Sequence, residues 1–104
     1  MRVRNALFVG AAAVLLALMV PMGTANAATG SFEYATQPDN VPHLLNNPRD
    51  GQCYNIRGDG FAANITDRDV ELYAGANCRG DIVNVLTPEQ EDPDVAFGSV
   101  KFIR

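Results

Sequence analysis

Beyond residue 27, no run of this chain keeps helical spacing for more than about eight residues, whereas short alternating runs bounded by Gly, Pro, Asn and Asp recur to its end. A chain punctuated this often has no segment long enough to bury one face of a helix, so the expected fold is all-β. Ser31-Phe32-Glu33-Tyr34-Ala35-Thr36 alternates and meets a turn at Pro38-Asp39-Asn40. Residues 41–45 form a short apolar run, interrupted by Pro42 and ended by the breakers of 46–51. Cys53-Tyr54-Asn55-Ile56 alternates, Arg57-Gly58-Asp59-Gly60 reads as a turn, and residues 61–66 extend again. Residues 70–73 follow, then a turn through 75–80, a strand over 81–86, a polar loop over 87–94 and a last strand over 98–103. In that last strand Val100 and Phe102 face one side and Ser99 and Lys101 the other, as a single buried face requires.

The first 27 residues read as an export leader. Arg2 and Arg4 give a positive start, residues 6–20 an apolar stretch, and Ala25-Asn26-Ala27 a small-x-small exit. The stretch is about 15 residues, short of the roughly 20 that a spanning helix needs, and Pro21 and Gly23 break it. The expected mature chain is one extracellular domain over residues 28–104, of bacterial origin. It keeps six basic and twelve acidic side chains, a net charge of −6 against −4 for the whole sequence. Nucleic acids and anionic membranes call for clustered Lys and Arg, so neither is an expected partner once the leader is gone.

At 77 residues such a domain buries too little for a large stability margin, and a covalent staple is expected. Cys53 and Cys78 are the only cysteines, and both lie in the exported part. A bond between them closes a loop of about 25 residues and contributes about 3 kcal/mol through the unfolded state. The competing reading is a metal site or a reactive thiol; with one histidine and two cysteines, a four-ligand zinc site would have to recruit carboxylates.

The two halves of the mature chain repeat weakly. Leu45-Asn46-Asn47-Pro48 parallels Val85-Leu86-Thr87-Pro88, and Phe61-Ala62-Ala63-Asn64-Ile65 parallels Phe97 to Val100 with one residue of slack. In the second half, Tyr73, four residues, Cys78, one residue and Gly80 have the spacing of a hairpin that folds over on itself. Gly80 supplies a positive φ at the fold, and the tyrosine packs across the corner. With the closing run Phe97-Gly98-Ser99-Val100-Lys101-Phe102, this spacing resembles the β/γ-crystallin family, with Cys78 where a second aromatic is usual. The resemblance covers residues 70–104 better than 32–66, where the aromatic and glycine after Tyr34 are replaced by Asp39 and Val41. It implies two Greek-key motifs paired in a small β-sandwich. Secreted bacterial relatives of that fold include metalloprotease inhibitors and killer-toxin-like proteins.

The resemblance also implies a calcium site, built by Asn/Asp-Asn/Asp-x-x-Ser/Thr-Ser with hard oxygen ligands. The matching positions are Asp59 to Asn64 and Asp94 to Ser99, so Asp59, Asn64, Asp94 and Ser99 are the weak calcium candidates. Ala63 and Gly98 stand where the ligating hydroxyl belongs, and turn aspartates that hold local backbone are the alternative. Calcium is thus the one cofactor in view, and none is required.

Catalysis has little to draw on, and no catalytic residue is assigned. His43 is the only histidine, and Ser31 and Ser99 lie in strand-like runs, so a carboxylate pair among Glu33, Glu71 and residues 89–94 is the remaining route. Arg57-Gly58-Asp59 and Arg79-Gly80-Asp81 repeat an adhesive tripeptide, although both glycines already serve turns. Asn64-Ile65-Thr66 is a glycosylation sequon. The segment Pro38, Asp39, Asn40, Val41, Pro42 and His43 suits a partner-binding loop, because two prolines hold it extended and lower the ordering cost of recognition. The sequence therefore leads to a secreted, non-catalytic binding protein, such as a protease inhibitor or an antimicrobial factor. A structural module with weak calcium affinity and a small secreted hydrolase are the alternatives.

Overall fold

A computed structural model describes residues 26–104, and most of the expected leader lies outside them. The described residues form eight strands and one short 3-10 turn. The strands are β1 (Gly30–Thr36), β2 (Val41–Asn46), β3 (Cys53–Tyr54), β4 (Gly58–Thr66), β5 (Asp69–Tyr73), β6 (Ile82–Leu86), β7 (Glu91–Phe97) and β8 (Ser99–Ile103), with the 3-10 turn (Ala76–Cys78) between β5 and β6. From β1 to β7 a Gly, Pro, Asn or Asp stands at the end of each strand or within two residues after it, which keeps the strands short.

Two four-stranded sheets result, ordered β2-β1-β4-β7 and β3-β8-β5-β6, and every strand pair is antiparallel. The two orders are one pattern used twice. In each half the first strand sits between the second and the fourth, while the third crosses to the edge of the other sheet. In both halves the first and fourth strands pair antiparallel through buried residues, Phe32 opposite Asn64 and Val70 opposite Phe102. The strand order thus repeats between the halves.

Between the sheets, Phe32, Leu72, Val70, Val100 and Phe102 are fully buried, and Ala62, Leu86, Val95 and Phe97 complete the cluster. The Phe32 ring meets Phe102 at 5.7 Å and Phe97 at 6.1 Å, both edge to face. Each ring taken from water contributes roughly 2 to 3 kcal/mol. Val100 and Phe102 point inward from β8 as their alternation predicts.

Two stretches differ from the sequence reading. Arg57-Gly58-Asp59-Gly60 is no turn, because β4 starts at Gly58. A Cβ there would run into the Phe97 ring, so the glycine serves close packing. Likewise the polar loop over 87–94 ends early, and Glu91–Phe97 is strand β7. Its charges and Pro93 are tolerated because β7 is a sheet edge with one side in water.

Candidate functional site

The fold-back at β5–β6 is the most constrained corner of the molecule. Gly80 has φ +82° and Asn77 and Cys78 have φ of 60° and 54°, so the chain reverses through three left-handed residues. Ser99 ties the reversal down. Its hydroxyl donates to the Gly75 carbonyl at 2.6 Å and accepts from the Cys78 N–H at 2.8 Å. Cys78 is bonded to Cys53 on edge strand β3, with their Cα atoms 5.9 Å apart. Asn55 and Asn77 exchange two further hydrogen bonds, of 2.6 and 2.8 Å, across the same gap. Tyr73 is buried beside this corner, and its hydroxyl donates to Glu71 Oε1 at 2.6 Å while Lys101 lies over its ring. That carboxylate partner raises the Tyr73 pKa above 10.0, and burial adds to the effect. Cys78, Gly80 and Ser99 are thereby accounted for by architecture.

Asn64, another calcium candidate, is also spent. It is fully buried in β4, and its Nδ2 donates to the carbonyls of Arg68 and Leu86 while Oδ1 accepts from the Thr66 N–H and hydroxyl. The side chain has no lone pair aimed at solvent, and the Asn64-Ile65-Thr66 sequon is closed to a glycosyl donor in the folded state. Asp59 and Asn64 lie five positions apart on one strand, about 16 Å by strand rise, with Asp59 exposed and Asn64 inside. Asp94 is exposed on β7, where its N–H donates to Asp92 Oδ1. Among the described residues no three His, Cys, Asp or Glu side chains gather as a metal group.

The expected partner loop is partly strand. Gln37–Asn40 forms the turn of a hairpin, with a cis Gln37–Pro38 bond, and Val41, Pro42 and His43 open β2. Pro42 fits a strand because β2 is an edge. Pro38, Asp39 and Asn40 are exposed at the tip, and Gln37 Nε2 holds that tip to the Asp59 carbonyl at 3.0 Å. His43 turns towards the end of the core. It stacks on Tyr34 with ring centres 5.1 Å apart, and its Nε2 lies 3.0 Å from the Thr36 hydroxyl. No carboxylate meets the imidazole among the described contacts, so it lacks the orienting group a general base uses.

The outer face of the first sheet carries exposed apolar side chains, as does β6 of the second sheet through Ile82, Val83 and Val85. The pairs Ala35 with Pro42, Glu33 with Leu44 and Ser31 with Ile65 put these side chains on the face away from the core. Leu44 is 59% exposed and Ile65 51%. Glu33, Tyr34, Ala35, Asn40, Pro42, His43, Leu44 and Phe61 line a hollow of about 360 Å³, and Ile65 lies outside it. Glu91, opposite Ala63, adds a second carboxylate to this face. Of the residues singled out in the sequence, Asn40, Pro42 and His43 of the expected partner loop and Glu33 line this hollow; for Leu44 the doubled leucine Leu44-Leu45 was the available signal, since one of two adjacent apolar residues in a strand must face out. A second hollow, of about 530 Å³, lies between Arg57-Gly58-Asp59 and Ala74, Ala76 and Gly98 of the fold-back corner. No helix among the described residues is long and apolar enough to cross a membrane. No family model, no curated protein and no solved structure matches this chain.

Proposed function

We propose that this chain is a two-Greek-key sandwich of the β/γ-crystallin type, exported by a bacterial producer, that acts by binding another protein and performs no catalysis. The fold reading is supported by the twice-used strand order and by the Tyr73 to Gly80 fold-back, fastened by the serine of the closing strand. The functional reading is carried by one observation. Pro42 and Leu44 stand in solvent at a largely apolar hollow that Glu33 also lines, and Ile65 and Glu91 lie on the same sheet face beyond it. An apolar centre with a charged rim is the anatomy of an interface, and a small domain keeps such a patch open at a cost in solubility. The rigid sheet beneath it lowers the ordering cost of binding.

Protease inhibition and antagonism of competing microbes are the concrete forms. Titration of the chain lacking its leader against a panel of secreted proteases tests the first. At stoichiometric protein one protease is slowed, and a Leu44→Asp/Ile65→Asp variant weakens that inhibition at least tenfold with its melting temperature unchanged. A panel in which no protease is slowed removes the inhibitor form, and an equally potent variant moves the site off this face.

The structural-module reading draws on Asp59 and Asp94, both exposed on neighbouring strands β4 and β7. It requires a melting temperature that rises between excess chelator and millimolar calcium; with Asn64 and Ser99 spent internally, we expect no rise.

A further inference from the structure

Asn26 and Ala27 are built into the fold. Ala27 pairs with Arg49 in an antiparallel bridge, and the Asp50 N–H donates to the Asn26 carbonyl at 2.9 Å. Arg68 Nη2 donates to the Ala27 carbonyl at 3.2 Å. One residue on, Ala28 is 2% exposed and its N–H donates to the Pro48 carbonyl at 2.7 Å, while the Thr29 N–H donates to Asp67 Oδ1 at 2.8 Å. Arg68 is itself fixed, 3.0 Å from Asp50 and 3.1 Å from Asp67, with its side chain and that of Asp50 only 15% and 14% exposed. The peptide bond between Ala27 and Ala28 is thus held on both sides in a slot formed by the 47–50 and 67–68 connections.

That bond is also the scissile bond of the expected leader, whose small-x-small exit is Ala25-Asn26-Ala27. A peptidase must draw the residues around its target out as an extended strand and pair their backbone with its own. Here those backbone groups are already paired and one side chain is inside. We infer that the folded domain seals its own leader junction, so that the leader is removed before the slot closes and the chain is exported unfolded. The inference rests on the leader reading. In the cleavage, water adds across the amide, leaving a carboxylate on Ala27 and an ammonium on Ala28. The ammonium keeps a donor for the Pro48 carbonyl, among the charges of Arg49, Asp50, Asp67 and Arg68, whereas the Asp50 N–H and Arg68 Nη2 exchange their leader carbonyls for water.

The test presents the full 104-residue chain, in detergent, to a bacterial leader peptidase and follows the products by mass spectrometry. One sample is oxidised and folded; the other carries Cys53→Ser and Val100→Asp, which removes the staple, buries a charge and unfolds the domain, as circular dichroism verifies. The unfolded chain is cut between Ala27 and Ala28, and the folded one at least about 100-fold more slowly, because cleavage follows the fraction of open molecules. Equal rates overturn the inference. An unfolded chain left uncut, or cut elsewhere, overturns the leader reading and the inference with it, and the unfolded control tells that failure from the first.

Discussion

At the scale of single residues, Asn64 shows how a polar side chain can be the best choice inside a core. Two carbonyls, one N–H and one hydroxyl converge on it, and no apolar residue can serve them. Asn64→Leu strands these groups in the interior, and we expect a loss of about 3 kcal/mol in urea unfolding. Asn64→Asp keeps the acceptor but removes both donors, so it should be nearly as damaging; a loss under about 0.5 kcal/mol for either variant would show that water takes over these bonds. Tyr73 and Tyr34 carry a pH dependence of definite sign. Tyr73 is raised first by its bond to Glu71 and then by burial, and Tyr34 by burial alone. The folded state holds these protons more tightly than the unfolded one, so their contribution is fully present below pH 10.0 and lost as pH rises through the shifted values. Lys101 over the ring and Glu71 at the hydroxyl are the charges facing Tyr73. Stability measured against pH should fall above 10, and Tyr73→Phe should make that fall shallower; an identical fall would assign it to Tyr34 or to general alkaline repulsion.

At the scale of elements, legibility tracked how local the determinant was. The Tyr73 to Gly80 fold-back was readable because its cause, a glycine at positive φ and an aromatic at fixed spacing, lies within eight residues. The Cys53–Cys78 bond was readable by inventory, there being no other cysteine. Strand β7 was not, since Glu91-Asp92-Pro93-Asp94 has the composition of a loop and extends only because β4 supplies an edge for it to pair with. The start of β4 failed for the same reason: Gly58 answers to the Phe97 ring, thirty-nine positions away in the chain. The calcium candidates show the complementary case, in which residue types fit a motif while the side chains of Asn64 and Ser99 are engaged by backbone groups that the sequence does not display. Because the fold-back depends on both Ser99 and the disulfide, each can be weighed. Cys53→Ser/Cys78→Ser should lose about 3 kcal/mol, and Ser99→Ala about 1 to 2 kcal/mol through the two backbone groups it abandons. Thiol titration of the native protein should find no reactive cysteine, and two reactive thiols would remove the staple from the account.

At the scale of the molecule, the exchange of third strands decides how the protein unfolds. Residues 28–66 supply β1, β2 and β4 to one sheet but send β3 to the other, and residues 67–104 return β7 in exchange. Neither half closes a sheet alone, and Phe32 of the first half has Phe97 and Phe102 of the second as its edge-to-face neighbours. The disulfide spans the same divide, joining β3 to the fold-back of the second half. A weak repeat in sequence therefore does not mean two units in energy, and the divergence of the first copy is carried by the strand it borrows from the second. Unfolding should be one cooperative transition, with calorimetric and van't Hoff enthalpies in agreement and near-ultraviolet and far-ultraviolet signals lost together. A fragment of residues 67–104 should be unstructured by circular dichroism, since without β3 and β4 it exposes Val70, Leu72, Val100 and Phe102 to water. Two separated transitions, or a fragment with native strand content, would mean that each half is held by its own three strands and that the exchanged strand is only an appendage.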